Sequence, residues 1–235
     1  MKTIDIKKLS YEEKIDLASN NETSAELLSA LAQDEHPDIR LTADLHHWSE
    51  EELLSCLSNN NYDGCILLGD IDDEALAFIK TNIKSGTKLF GVVGNHDDWD
   101  ILKRNNIEDI SGKTIDFNGI VFAGLGGSHR YNDEERAMLT QKESIVAAKE
   151  LPKAEILISH DTAYRAMHYS DTVHCGLKGI SKYLKKHAPK LNLFGHYHSY
   201  NLLSCHKTTL LCVYRCALIT IDIDGNMTKW RKLLS

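Results

Sequence analysis

The chain has six cysteines but no Cys-x-x-Cys pair, and Cys65 sits inside the apolar run CILL, where a thiol is usually core. The cysteines therefore read as reduced. Nowhere do about 18 apolar residues run together, as a membrane-spanning helix needs, and the N-terminal MKTIDIKKLSYEEK offers no apolar stretch fit for a signal peptide. The expected setting is a reducing cytoplasm without membrane association. No run of five or six like charges occurs, and the net charge is -7. That balance argues against a broad basic surface for extended nucleic acid or membrane, though it leaves a local basic pocket open. What remains is ordinary for a globular protein: 42% hydrophobic and 26% charged residues over 235 positions, enough for one large α/β domain with a small appendage. The 12 histidines are more than this size needs, and their placement matters more than their number.

Residues 1–37 differ from the rest. LSYEEKIDLA and ETSAELLSALAQ each carry a capping box, Ser10 with Glu13 and Thr23 with Glu26, so two short helices are expected. SNNETSAELLSALAQDEHPDIR resembles one unit of the leucine-rich variant repeats, which need neighbours to stack on. A helical extension or cap on the main domain and a segment that recruits a protein partner are both open.

From Asp38, apolar strand-like runs alternate with helix-like segments: DIRLTA, SEEELLSCL, GCILL, EALAFIKTNI, KLFGVV. This rhythm predicts parallel strands with helical crossovers. TIDF, IVFAGL, EILIS and LNLF continue the strands, with helices over residues 140–150 and GISKYLKKH. LLSCHKT, TLLCVYR and ALITIDI then follow without helices, and Asp224-Gly225 marks a hairpin before MTKWRKL. Parallel strands first and antiparallel strands last suggest two packed sheets.

Ligands of α/β sheets bind beyond the carboxyl ends of strands. Five such ends deliver polar groups: Asp44 and His46 after DIRLTA, Asp70 and Asp73 after GCILL, Asn95, His96 and Asp97 after KLFGVV, His160 after EILIS, and His196 and His198 after LNLF. Carboxylate and amide oxygens with imidazoles suit Mn, Fe, Zn, Ni or Co better than Ca, and the lack of cysteine argues against a closed structural zinc site. In extended chain, residues i and i+2 project to one side, so Asp44 with His46, and His196 with His198, can each converge on a metal centre.

The order D-x-H, G-D-x-x-D, G-N-H-D, a lone H and G-H-x-H resembles the calcineurin-like metallophosphoesterases, over roughly residues 38–222. The resemblance implies a four-layer α/β/β/α sandwich of two mixed β-sheets flanked by helices, within residues 38–235. It implies two divalent metals, Mn2+ foremost, one held by Asp44, His46, Asp70 and His198 and the other by Asp70, Asn95, His160 and His196. Asp70 bridges them, His96 faces the substrate with Asp97 orienting its imidazole, and Asp73 stands behind the ligands. The expected reaction is phosphoester hydrolysis, a metal-bridging hydroxide attacking phosphorus and His96 protonating the departing oxygen.

Substrate choice must come from residues around this core. His129 and Arg130 on the bend GLGGSHRYN are candidate substrate-binding groups, as is His174 in DTVHCG, which with Asp161 and Tyr164 is expected on the opposite wall. Trp48 and Trp99 follow metal-binding motifs and can either stack on a base or pack. The acidic charge favours a small phosphodiester or phosphomonoester, including nucleotides, over extended nucleic acid. A nuclease or protein phosphatase is an alternative within the superfamily. A non-catalytic scaffold that recruits a partner through residues 1–37 is another, although it is expected to have lost ligands, and here all seven positions are filled. The sequence departs from many relatives in reading CVYRCALI where an Asn-Pro-Gly turn is expected after G-H-x-H.

Overall fold

The structure, a computed structural model, describes residues 38–43, 48–134, 136–167 and 171–234, with the backbone alone for 38–43. The chain divides into two compact units, Met1–Pro37 and Asp38–Ser235. The first lies outside the described residues, and with it both expected capping boxes.

In the second unit the elements run β1 (Asp38–Ala43), α1 (Glu50–Ser58), β2 (Gly64–Leu67), α2 (Asp73–Asn82), β3 (Lys88–Gly91), α3 (Ile101–Arg104), β4 (Glu108–Asp109), β5 (Thr114–Phe117) and β6 (Ile120–Leu125). After these come β7 (Ser128–His129), β8 (Met138–Leu139), α4 (Gln141–Glu150), β9 (Ile156–Ser159), α5 (Lys178–His187), β10 (Leu191–Phe194), β11 (Asn201–Cys205), β12 (Thr208–Cys212), β13 (Arg215–Ile221) and β14 (Met227–Lys232). The helix starts follow local chemistry. Ser49 Oγ accepts the Glu52 N–H to begin α1, Asp72 accepts the Ala75 N–H at 2.7 Å to begin α2, and Thr140 with Glu143 forms a capping box on α4.

One sheet has the order β14-β13-β1-β2-β3-β4, the other β11-β12-β10-β9-β6-β5. Strands β1 to β4 are parallel, as are β6, β9, β10 and β12, while β13 inserts antiparallel beside β1. Period-two patterning makes this a four-layer α/β/β/α sandwich. In β2 and the residue after it, Ile66 and Leu68 enter the apolar layer between the sheets, whereas Cys65 and Leu67 face α1 and α2 through Leu53, Leu57, Leu76 and Ile79. In β9, Ile156 and Ile158 face inward and Leu157 packs with Ile180, Tyr183 and Leu184 of α5. Phe90, Phe117 and Phe122 meet in the inter-sheet layer, Phe90 and Phe122 edge-on at 5.5 Å. Burial of each such ring contributes roughly 1.5–3 kcal/mol.

The structure departs from the expected pattern at β12, which pairs parallel with β10 and antiparallel only with β11. The short elements α3, β4, β7 and β8 carry too few residues to show a periodicity in sequence. No helix among the described residues is long and apolar enough to cross a membrane.

Candidate metal centre

The parallel strands β2, β3, β9 and β10 end on one side of their sheets, and each is followed within four residues by a polar group: Asp70, Asn95, His160 and His196. Two glycines let these loops touch. A Cβ on Gly94 would lie 2.2 Å from Asp70 Oδ1, and one on Gly69, whose φ is +97°, would lie 2.5 Å from the Gly94 nitrogen and 2.7 Å from His160 Nδ1. Only glycine permits that backbone approach. Asp70 itself holds a left-handed φ of 55°. Its conformation is fixed by neighbours: Asp97 Oδ2 accepts the Asp70 N–H at 2.9 Å and the Gly94 N–H at 2.7 Å, and Asp70 Oδ1 accepts the His96 N–H at 2.8 Å.

Asp70, His160 and His196 are buried, and each offers a ligand atom within 4.8 Å of the others. His160 is fully enclosed, and its Nδ1 lies 2.7 Å from the Leu68 carbonyl. A carbonyl can only accept, so Nδ1 carries a hydrogen and Nε2 is the nitrogen left to a proton or a metal. Nε2 faces Asn95 Oδ1 at 2.9 Å and Asp70 Oδ2 at 3.3 Å. Likewise His196 Nε2 donates to the Val173 carbonyl at 3.2 Å, which leaves Nδ1 as the ligand nitrogen. Oxygen and nitrogen ligand atoms thus converge in a buried place that favours a positive charge, carried by the His160 proton or by a metal ion that displaces it. The residues present fit a divalent cation of mixed oxygen and nitrogen preference.

The protein's own charges say the same. Burial acts to raise the Asp70 carboxyl, yet His160 and the His96 N–H hold it well below the usual carboxylate range. Burial likewise disfavours charge on His160, but Asp70 pushes that imidazole up to about 9. Burial carries His196 down to about 4 despite Asp161, so this ring is neutral and ready to ligate at physiological pH.

A sequence profile described as the calcineurin-like phosphoesterase superfamily domain matches residues 38–213. The chain belongs to the calcineurin-like phosphoesterase superfamily. No curated protein sequence matches it. Among solved structures, a Thermus thermophilus protein shares 14% identity, with 85% of this chain and 100% of that one covered and a TM-score of 0.56. A phosphopantetheinyl hydrolase from Mycobacterium tuberculosis shares 11% identity over 77% of this chain and 90% of its own, also at 0.56. A dimetal phosphatase from Danio rerio shares 11% over 80% and 93%, at 0.54. At such identities these structures show a shared fold.

Of the seven ligands expected for a calcineurin-like centre, the structure brings Asp70, Asn95, His160 and His196 together. Asp44 and His46 lie outside the described residues; β1, which leads to them, ends at Ala43 in a strand paired in parallel with β2. His198 is exposed and stacks on Tyr214 with ring centroids 5.6 Å apart. The extended-chain argument for the two histidines does not hold. His196 and His198 have φ of 67° and 44°, so the loop bends and the two rings do not project to one side by strand geometry.

Asp97 also corrects the sequence reading. Besides the two N–H groups named above, it accepts that of Ile71 at 3.2 Å, so this buried carboxylate ties the G-D and G-N-H loops together rather than orienting the His96 ring. Burial and the Asp70 charge raise its carboxyl to about 7 against those donors. Asp73 turns away from the cluster: it is exposed on α2 and binds Arg104 at 2.9 Å and Asn105 at 2.6 Å. His96 is exposed while its backbone is anchored, its N–H on Asp70 and its carbonyl accepting from Arg136.

His174 stands beside the centre, its ring 5.0 Å from that of His196 and its Nδ1 3.0 Å from Asp171. His129 donates its N–H to buried Asp161 and pairs through Nδ1 with Gln141. Arg130 donates to the Met138 carbonyl at 3.0 Å. Tyr164 lies under Arg165 and Lys178, Trp48 packs on Phe78, and Trp99 is about half exposed. Sequence reasoning missed Tyr131, whose hydroxyl accepts from Asn95 Nδ2, and Val173, whose carbonyl orients His196. The first contact spans 36 residues and the second 23, so no local pattern signals either.

Proposed function

We propose that this protein is a metal-dependent hydrolase of small phosphoesters, phosphodiesters or phosphomonoesters, with nucleotides included. The observation that carries the reading is the buried convergence of Asp70, Asn95, His160 and His196 ligand atoms in a chain of this superfamily. These four would hold one divalent cation; Asp70 and His198, with Asp44 and His46, would hold a second. Mn2+ is the favoured ion, and Fe, Zn, Ni and Co suit the same donors. When bound, such cations neutralise phosphoryl oxygens and lower the pKa of water towards neutrality.

The remaining work falls to the chain. Asp70, pinned by Asp97 and by the His96 N–H, presents a carboxylate whose position does not relax when a phosphate arrives. His96, with its backbone held at both ends, exposes an imidazole suited to protonating the departing oxygen. His174, held by Asp171 and 5.0 Å from the His196 ring, would meet the substrate there. Burial of the cluster on the protein side excludes water from behind the ligands and strengthens their hold on charge. The names of two structural neighbours, a hydrolase and a dimetal phosphatase, support the reading. None of the six cysteines is joined in a disulfide, which is in keeping with a reducing compartment.

The test is a metal-reconstituted panel of phosphomonoesters, linear and cyclic phosphodiesters and pyrophosphates, with Asp70→Ala purified in parallel. Metal-dependent turnover of a phosphoester by the wild type alone is expected. An identical profile from both proteins would mark a contaminant, and turnover of carboxylic esters with none of phosphoesters would overturn the proposal.

A further inference from the structure

Tyr131 follows β7, and its hydroxyl lies 3.1 Å from Asn95 Nδ2. A carboxamide has an oxygen end and a nitrogen end of nearly equal size, so at a cation site a neighbour must decide which end faces the ion. His160 cannot decide it, because its Nδ1 hydrogen is committed to the Leu68 carbonyl. In the metal-loaded site Nε2 is given to the cation and has no hydrogen with which to hold Asn95 against reversal. In that reversed state the ligand oxygen would point away from Asp70. The group that takes the nitrogen end is the phenol oxygen of Tyr131, and Asn95 Oδ1 thereby faces His160 Nε2 at 2.9 Å.

Having accepted from Asn95, the hydroxyl still has its own hydrogen. No hydrogen bond among the described residues uses it, and the residue is only half buried. A phosphoryl oxygen is a strong acceptor, and a bond from a neutral hydroxyl to a charged oxygen is among the stronger kinds.

We infer that Tyr131 both positions Asn95, holding its carbonyl oxygen toward the Asp70–His160 cluster, and donates its own hydrogen to a phosphoryl oxygen of the substrate. The inference rests on the metal-dependent phosphoesterase reading above. It is tested on the full chain by calorimetric titration with Mn2+, then with orthophosphate into the Mn2+-loaded protein, for wild type, Tyr131→Phe, Asn95→Asp and the double variant.

Tyr131→Phe is expected to keep the wild-type melting temperature in chelator and to lose about 10- to 100-fold in Mn2+ affinity, as removal of partners behind a ligand does. Orthophosphate affinity should fall about tenfold or more. The Mn2+ loss should shrink in the Asn95→Asp background, where either oxygen can face the cluster. Wild-type Mn2+ affinity in Tyr131→Phe, or an equal loss in both backgrounds, would overturn the positioning role. Undiminished orthophosphate affinity would overturn the donor role. A wild-type protein that takes up no Mn2+ would instead overturn the underlying metal reading, a result visible before any variant is compared.

Discussion

Burial disfavours a charged His160, yet Asp70 raises its pKa to about 9, so a proton and a metal ion compete for the same Nε2. The sign follows from the ligand form, which is the neutral imidazole. Below about pH 9 the cation must displace a proton, and its affinity should fall by about tenfold for each further unit of acidification. Calorimetry near neutral pH in buffers of different protonation enthalpy should register release of about one proton per metal bound at this site; no release would contradict the charge state assigned to His160. His96 should behave differently. His96→Ala is expected to keep its metals but to slow esters with poor leaving groups by about 100- to 10,000-fold, and activated aryl esters less, because an acid matters most when the departing alkoxide is basic. A uniform slowing across leaving groups, or lost metal, would remove His96 as the acid. At this scale the residue types after each strand were readable, since Asp70, Asn95, His160 and His196 sit at motif positions. The roles of Asp97 and Tyr131 were not, because both act through partners that only the fold brings near.

At the scale of elements, the centre depends on how closely the loops after β2 and β3 approach. Gly94→Ala would drive a methyl group into Asp70, whose Oδ1 and backbone nitrogen lie 2.2 and 2.5 Å from the added Cβ. Since the obstacle includes backbone, the loops must separate. The expected cost is on the order of 1–3 kcal/mol, with loss of metal binding. A melting curve and metal analysis of this variant check the claim, and a Gly94→Ala protein that kept wild-type metal content would show that the loops need not touch. The strands and longer helices were legible because apolar runs and periodicity mark them directly. The bent HYH loop was not, since left-handed φ at two histidines carries no signature in their identity.

At the scale of the whole molecule, sheet membership was the part the sequence concealed. Apolar alternation says that a strand is half covered, but not by which sheet, and so β12 beside β10 and β13 beside β1 emerge only from packing. Among the described residues, the 12 strands of the two six-stranded sheets and the three apolar clusters that join the sheets to each other and to the helices form a complete sandwich within 38–235. A fragment of residues 38–235 is therefore expected to melt cooperatively and to bind metal. Loss of folding in that fragment, read by circular dichroism, would make residues 1–37 a structural cap. The most direct test of the account is a metal titration of phosphoester turnover in chelator-stripped protein, with bound metal counted at each point. The account predicts that turnover rises with metal content and saturates at two ions per chain in the wild type, and that Asp70→Ala shows neither. Full turnover in the stripped protein, or saturating metal with no turnover of any phosphoester, would contradict it.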